Sequence, residues 1–270
     1  MEQNKKYYYL INLSYFGNAY FGWQKQKNFP TLSGTIETVL EKRFGPGSFH
    51  LLGASRTDSK VHALDQFCKL QLNESIDERE LKDFLNKKLP SDIHIKQIIK
   101  SNAQFRLIQS VKSKCYCYYF SNQQSDNLFS SQLCPNFKEQ LDIEAMIEAL
   151  ELFKGVHSFH NYQYRSPIKG TMEREIKALS IEKNPHFIDG LSIEQSYLIK
   201  IEANGFMKQM VRLIVGTLID LGRGLITKEQ IRESLSLKSN LKLGFIAPGS
   251  GLYLCSIHFK NENLENIFKR

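Results

Sequence analysis

An α+β fold of two lobes is the architecture that the sequence predicts, and two observations lead to it. The order strand, helix, strands, helix occurs once before about residue 105 and again after it. The 270 residues are 41% hydrophobic and 24% charged, which is enough apolar material to bury a core without disulfides. No repeat or low-complexity linker marks the join, so the expected domains are residues 1–104 and 105–270.

Hydrophobic periodicity and helix-ending residues define the elements of the first lobe. The polar segment Ser55–Lys60 is too charged for a core and is predicted to be a loop between strands. Ser75 and Glu78 form a capping-box pattern in front of a helix that runs to about Lys88. The other predicted elements are strands at Tyr7–Leu13, Leu51–Ala54 and Phe67–Leu72 and a helix at Ile36–Phe44.

In the second lobe, the alternation from Lys114 to Phe120 predicts a strand that has its even-numbered residues, Tyr116 among them, on one face. Asp142 is predicted to cap a helix that ends near Gly155. The remaining predicted elements are strands at Ile176–Ile181, Tyr197–Ala203 and Leu252–Phe259 and a long apolar helix from about Phe206 to Leu221, ended by Gly222.

Composition argues against several classes of protein. The five cysteines are odd in number and contain no C-x-x-C pair, so a reducing cytoplasm is expected rather than a disulfide framework. No run of about 18 apolar residues occurs and the N-terminus is polar, so neither a membrane span nor a signal peptide is expected. The net charge of +8 favours a polyanionic partner such as nucleic acid, although a solvated lysine surface gives the same count.

Arg212 lies on the long apolar helix, whose apolar side chains cover nearly every direction. None of the residues three or four positions away is acidic, so no ion pair can form within the helix. Leaving a buried charge unpaired costs roughly 3–5 kcal/mol, so a carboxylate from elsewhere in the chain is expected. A structural ion pair and a functional one both meet this requirement.

The loop Ser55–Lys60 places one acid, Asp58, between the cations Arg56 and Lys60. Loops on a rigid scaffold often carry functional groups, so Asp58 is a candidate catalytic residue. The simpler alternative is a polar turn in which Asp58 accepts hydrogen bonds from neighbouring backbone N–H groups.

Tyr116 lies on the same predicted strand face as Tyr118. A tyrosine there can stack on a nucleobase, which contributes roughly 1–3 kcal/mol per base, or can form a hydrogen bond to a reacting group. Ordinary sheet packing is the alternative, because tyrosine is common in strands.

No cofactor is expected. His157 and His160 lie three residues apart, but no cysteine or acidic cluster accompanies them as in a metal site. The chain has no P-loop, no G-x-G-x-x-G and no G-x-S-x-G, the patterns typical of nucleotide binding and of serine hydrolases.

Five blocks of sequence carry a family resemblance. In chain order they are Tyr15–Gln24; Arg56–Asp58 with Val61–Ala63; Asn86–Ile93; Lys114–Tyr118; and Ala203–Phe206 with Met210–Arg212, Ile214–Gly216, Ala247–Pro248 and Gly251–Leu254. Together they resemble the tRNA pseudouridine synthase A family across nearly the whole chain. The resemblance implies mainly antiparallel sheets with helices on one face and an active-site cleft between the lobes.

The same resemblance implies roles for the candidate residues. Asp58 corresponds to the essential aspartate, and Arg56 to the adjacent RNA-contacting arginine. Tyr116 corresponds to the residue against the target base. Arg212 corresponds to the partner of the aspartate, which would keep the carboxylate ionised and orient it toward the nucleotide.

The implied reaction converts uridine to pseudouridine in the anticodon stem-loop of tRNA, at positions 38–40. Asp58 would attack the uracil ring or ribose carbon 1, or would assist a proton removal, and the base would rejoin through carbon. A paired uridine must leave its stack, which gives Arg56 a place-holding role. The expected partners are tRNA and a second copy of the chain in a homodimer, with no metal or organic cofactor.

The chain departs from the family pattern at several positions. Ser55, Ser59 and Lys60 stand where the family has glycine, alanine and glycine. Ile108 stands where the family has a basic residue, and Arg106 is the nearby residue that could take over its role. If the loop needs a positive φ at residue 60, lysine costs roughly 1 kcal/mol there. The segment Met207–Gln209 lacks the family's aromatic and histidine residues.

Two other hypotheses stay open. The first, suggested by these departures, is an RNA-binding or RNA-folding protein that keeps the scaffold with weak or no isomerase activity. The second is a structural basic α+β protein, for which tRNA has no advantage over other polyanions as salt is raised.

Overall fold

Two units make up the chain, whose computed structural model describes residues 5–122, 130–164, 172–184 and 196–268. Unit 1 consists of Met1–Lys112 and Leu254–Arg270, and unit 2 of Ser113–Tyr253. The C-terminal segment thus belongs with the N-terminal part. The division into lobes 1–104 and 105–270 stays a prediction, because contacts alone do not test which part folds independently.

Unit 1 is built around the strand β1, whose residues Tyr9–Leu13 are buried on both faces of its sheet. The strands lie in the order β4–β1–β3–β9, and β2 also pairs with β3. The pairs of β1 with β3, β1 with β4 and β2 with β3 are antiparallel. The strands are β1 Tyr7–Tyr15, β2 Phe49–Gly53, β3 His62–Leu72, β4 Ile93–Ser101 and β9 Leu252–Phe259; the helices are α1 Leu32–Phe44, α2 Glu78–Lys88, α3 Leu107–Ser110 and α7 Glu262–Phe268.

The start of α2 corrects one prediction. Its N-cap is Asp77, whose side chain accepts hydrogen bonds from the backbone N–H groups of Arg79 at 2.9 Å and Glu80 at 3.2 Å. The capping box assigned to Ser75 and Glu78 was wrong, because Glu78 is the first helical residue and cannot be the third. Aspartate is an equally strong N-cap and stands next to the helix.

Unit 2 is a sheet in the order β5–β8–β7–β6, in which all described pairs are antiparallel. The predicted cap of α4 is confirmed, since the Asp142 side chain accepts from the Ala145 N–H at 2.9 Å. The strands are β5 Val111–Ser121, β6 Gly155–Ser158, β7 Glu173–Lys183 and β8 Ser196–Ala203; the helices are α4 Ile143–Phe153, α5 Met210–Gly222 and α6 Lys228–Ser234.

The apolar helix α5 is buried on nearly every side, as its sequence predicts, and it ends at Gly222. It begins at Met210, four residues later than predicted. Gln209 has the left-handed conformation (φ 60°, ψ 10°), so the chain cannot continue the right-handed helix back to Phe206.

The fold class is therefore confirmed as α+β with mainly antiparallel strands. Two further expectations stay predictions: that the two lobes have related structures, and that a cleft lies between them. Within the described ranges, no helix is both long and apolar enough to cross a membrane.

Candidate active site

Asp58 lies on the loop between β2 and β3 in unit 1, and its side chain is half-buried. The Val61 N–H donates to the Asp58 carbonyl at 3.3 Å and closes a tight turn. Lys60 within this turn has φ 64°, the positive value that glycine adopts freely. Its N–H donates to the Tyr20 carbonyl at 3.1 Å, so this backbone conformation is held from outside the loop.

The N-terminal segment Tyr15–Gln24 holds the same loop through backbone contacts. The Trp23 N–H donates to the Thr57 carbonyl at 3.1 Å, and the hydroxyls of Tyr15 and Thr57 share a buried hydrogen bond of 2.7 Å. Gly22 has φ 94°, and a Cβ built on it would lie 2.6 Å from the Thr57 carbonyl oxygen. Only glycine allows this approach, so the first two blocks of the sequence signature form one structure.

His62 joins the two blocks at a second point. It is 1% exposed, its Nδ1 accepts the Gly17 N–H at 3.0 Å, and the Phe16 ring stacks on it at 4.7 Å. A nitrogen that accepts a backbone N–H carries no proton, so the imidazole is neutral with its proton on Nε2. His62 thus supports the Asp58 loop.

The third block contacts the N-terminal segment Tyr15–Gln24 through Asp92. The Tyr20 hydroxyl donates to Asp92 Oδ1 at 2.7 Å, and the Phe16 N–H donates to the Asp92 carbonyl at 2.8 Å. Burial, followed by the bond to Asp92, raises the pKa of Tyr20 well above its ordinary value. Burial and the bond to Asp92 therefore favour the protonated hydroxyl of Tyr20, the form that donates.

Arg56 is exposed, whereas Ser55 and Thr57 on either side of it are buried. The alternation anchors the loop through its neighbours and leaves the guanidinium in solvent. A planar cation in this position is available to a phosphate or a base.

In unit 2, Tyr116 lies on β5 opposite Ile201 of β8 and is 6% exposed. The edge of one ring meets the face of the other between Tyr116 and Phe206, with centroids 5.2 Å apart. The predicted face of β5 continues with Lys114, whose pKa burial lowers to about 8. Lys114, with its lowered amine pKa, and Tyr116 therefore lie on the same face of β5.

Arg212 lies in the first turn of α5, half-buried. Its Nε donates to the Ala247 carbonyl at 2.6 Å, and the Ala247 N–H donates to the Arg212 carbonyl at 3.2 Å. A Cβ built on Gly216 would lie 1.9 Å from the Phe245 carbonyl oxygen, so glycine lets the segment before Ala247 approach the helix. Separate parts of the fifth block are therefore one packed structure.

Tyr118 borders this arrangement. Its hydroxyl is buried and has no hydrogen-bond partner within the described part of the chain. Burial raises the pKa of Tyr118, and the Arg212 guanidinium opposes that rise by favouring the phenolate. Because the charge of Arg212 acts on the pKa of Tyr118, its guanidinium lies within electrostatic range of the Tyr118 side chain on β5.

The structure thus brings Arg56 and Asp58 together on one loop of unit 1, and it places Tyr116 and Arg212 in unit 2. The meeting of Asp58 with Tyr116 and Arg212 stays a prediction. Among the described residues, no group of three or more His, Cys, Asp or Glu side chains is arranged to hold a metal ion.

Two contacts in the candidate site were not foreseen. Arg212 and Ala247 both belong to the fifth block, but the sequence does not indicate that they touch, because the acceptor is a backbone carbonyl 35 positions away. The bond between Tyr15 and Thr57 had a signal, since both residues belong to the family blocks, but the signal does not say that they touch.

Comparison with known proteins agrees with the sequence blocks. The family model described as tRNA pseudouridine synthase matches residues 12–106 and 149–260. A protein named tRNA pseudouridine synthase A from Thermoanaerobacter sp. (strain X514) is 36% identical over 248 residues, 92% of this chain and 98% of that protein. One of the same name from Bacillus sp. (strain KSM-64) is 34% identical over 252 residues, 93% of this chain and 99% of that protein.

Among solved structures, a chain of a Cbf5-Nop10-Gar1 complex has a TM-score of 0.35 and 12% identity. The match covers 92% of this chain and 51% of that one. This likeness is too weak to support an inference.

Proposed function

The chain belongs to the tRNA pseudouridine synthase A family, and from that premise we propose that it isomerises uridine at positions 38–40 of the anticodon arm with Asp58 as the essential catalytic group. At the coarser level, it is an RNA pseudouridine synthase that converts uridine in tRNA to pseudouridine. The position of the uridine and the role of Asp58 are the proposed parts.

The reaction is balanced without a second substrate. The bond from uracil N1 to ribose C1′ breaks and a bond from C5 to C1′ forms, while C5 loses a proton and N1 gains one. No oxidant, reductant or group donor is consumed. The chain has to hold the detached base, exclude water and supply one ionised carboxylate as a nucleophile or a base.

The geometry of the Asp58 loop is the observation that carries the proposal. The side chain is half-buried on a turn that backbone hydrogen bonds fix at Thr57 and Lys60. A catalytic group needs this kind of support, because a misplacement of about 1 Å can cost 10²-fold in rate. A polar turn with no chemical role does not need the same number of contacts from a distant segment.

The other candidate residues receive roles that suit their positions. Arg212 pairs with Asp58 and favours the ionised carboxylate; its Nε is fixed on Ala247, which limits the directions open to the rest of the guanidinium. Tyr116 lies against the target base, and the exposed Arg56 fills the place of the flipped nucleotide.

We further propose that the enzyme is a cytoplasmic homodimer that binds tRNA without a cofactor. The net charge of +8 supports a polyanionic substrate.

The decisive test is Asp58→Asn. Release of tritium from tRNA labelled at uridine C5 should fall by more than about 10³-fold, because an amide neither attacks carbon nor takes a proton. Binding of tRNA should change little. Asp83→Asn is the matched control, since Asp83 is an exposed aspartate on α2 of the same unit.

Unchanged turnover in Asp58→Asn would overturn the catalytic assignment. Tight, tRNA-selective binding by a wild-type protein that releases no tritium would favour the RNA-binding alternative. Mapping of pseudouridine in RNA from cells with and without the protein tests positions 38–40.

A further inference from the structure

An exposed pair of aromatic rings lies beside the Asp58 loop. The rings of Phe21 and Phe29 are 46% and 50% exposed, and their centroids are 4.6 Å apart with a tilt of 39°. Single exposed apolar residues are common, but two large rings in contact leave a continuous apolar surface in water. Such a surface favours a partner that covers it.

The backbone around the pair is fixed. The Phe21 N–H donates to the Pro30 carbonyl at 2.8 Å, and Gln26 Nε2 donates to the Phe21 carbonyl at 2.8 Å. Gln26 and Phe29 also form an isolated β-bridge, and Asn28 between them has φ 71° in the turn. The rings are therefore held in place before any partner arrives, which lowers the entropic cost of binding.

The charge around the pair is positive. No acidic residue occurs from Phe16 to Thr35, whereas Lys25 and Lys27 lie between the two phenylalanines. Lys25 forms an ion pair with Glu37 at 2.9 Å, and Lys27 is exposed. Lys60 is exposed too, and its N–H donates to the carbonyl of Tyr20, the residue before Phe21. It keeps a charged side chain at a left-handed position that favours glycine.

The pair is also continuous with the candidate active site. Gly22 follows Phe21 directly, and a Cβ built on it would lie 2.6 Å from the Thr57 carbonyl oxygen and 3.1 Å from the Asp58 carbonyl carbon. A nucleotide on the rings would therefore be a near neighbour of the nucleotide at Asp58.

We propose that Phe21 and Phe29 form a stacking platform for one unpaired base of the tRNA substrate, with Lys60 and Lys27 next to its phosphates. The proposal rests on tRNA being the substrate. Aromatic faces interleaved with cations are typical of single-stranded nucleic acid sites, because every base has a face that can stack. A second copy of the chain suits the surface less well, since a symmetric contact would bring like charges together.

The test uses the full chain, in the wild-type form and as Asp58→Asn, and a hairpin RNA with the sequence of an anticodon arm. The double variant Phe21→Leu, Phe29→Leu keeps apolar side chains and removes the rings. It should weaken binding of the hairpin by about 5- to 100-fold, the range expected for the loss of one stacked base. Phe84→Leu is the matched control. Like the two platform residues, Phe84 packs on another phenylalanine ring, and it also contacts Arg43, but it lies on α2.

A series of hairpins, each with one abasic loop nucleotide, locates the stacked base. One abasic position should weaken binding to the wild-type chain and have no further effect on the double variant. Lys60→Gln should reduce the slope of the logarithm of the binding constant against the logarithm of salt concentration by about 1, the change expected for the loss of one phosphate contact.

Equal affinity of the wild type and the double variant for the intact hairpin would overturn the platform. So would unchanged affinity accompanied by loss of a dimer in sedimentation, which would identify a second copy as the occupant. These measurements are of binding and are made in Asp58→Asn as well. The platform can therefore fail while isomerase activity stands, and the reverse also holds.

Discussion

The Asp58 loop of unit 1 and the Arg212 helix of unit 2 are held in place by different means. The loop is fixed by backbone hydrogen bonds to Tyr20 and Trp23 and by a glycine that lets two backbones touch. The helix is fixed by burial of its apolar side chains, and the hydrogen bond from Arg212 Nε to the Ala247 carbonyl helps to orient its arginine. Substitutions in the loop should therefore change the orientation of Asp58, and substitutions in the helix should change the free energy of unfolding.

A lysine in each unit extends the comparison. Lys60 keeps its charge in solvent but has a backbone conformation that costs about 1 kcal/mol relative to glycine. Lys114 has an ordinary strand backbone, but burial lowers the pKa of its amine. The cost at Lys60 therefore comes from its Cβ at a positive φ, whereas the cost at Lys114 comes from burial of its charge.

Gly216→Ala should produce the largest loss of stability. The new Cβ would lie 1.9 Å from a backbone oxygen that cannot move without shifting the segment before Ala247. We expect a loss of about 2–3 kcal/mol in the free energy of unfolding, measured by denaturant titration.

Gly205→Ala is the control for that variant, because its Cβ would meet no atom within 4 Å. If Gly216→Ala were as stable as the control, close packing would not be what holds α5.

Gly22→Ala should reduce turnover more than it reduces stability. Its Cβ would press on the Thr57 and Asp58 backbone and shift the carboxylate. A fall in kcat of up to about 10²-fold is expected with a nearly unchanged KM for tRNA.

Gly47→Ala separates the contact from the backbone conformation. Gly47 also has a positive φ, 74°, but a Cβ there would meet nothing within 4 Å. Equal kcat in the two variants would mean that the loop is not aimed by the N-terminal segment.

Lys114→Met should stabilise the chain slightly, by an amount that depends on pH. Burial lowers the pKa of Lys114 from 10.5 to about 8 in the folded state. Below about pH 8 Lys114 is protonated in both the folded and the unfolded wild type, so the folded state carries the full free-energy cost of the buried charge. Between about pH 8 and 10.5 the unfolded state binds more protons than the folded state, so the stability of the wild type rises with pH.

The advantage of Lys114→Met should therefore be on the order of 1 kcal/mol near neutral pH and should shrink as the pH rises toward 10.5. Denaturant titrations across this range measure it, with the exposed Lys112→Met as control. A constant difference between Lys114→Met and wild type would show that the amine is not desolvated.

Local patterns predicted most elements because each depends on residues close together in the chain. Asp142 caps α4, α5 is buried all round, and the polar segment 55–60 is a loop. The condition raised for Lys60, a positive φ where the family has glycine, is met in the structure. The error at the start of α2 is a competition between two similar local signals, Asp77 and Ser75, for the same cap.

The supports of the site could not be predicted, because they depend on contacts between distant segments. The sequence shows Gly22 and Thr57 as parts of two motifs, but their distance is a property of the folded sheet. The left-handed Gln209 has no sequence signal at all, since glutamine has no preference for that conformation.

Trp23 gives the loop an optical reporter. It is the only tryptophan of the chain and is 3% exposed. Its backbone N–H donates to the carbonyl of Thr57, the residue before Asp58. Its indole also packs so closely on Gly53 that a Cβ there would lie 2.4 Å from Nε1. Intrinsic emission excited at the indole band therefore comes from one place, and any loosening of this loop would appear as a red shift that the rest of the molecule cannot mimic.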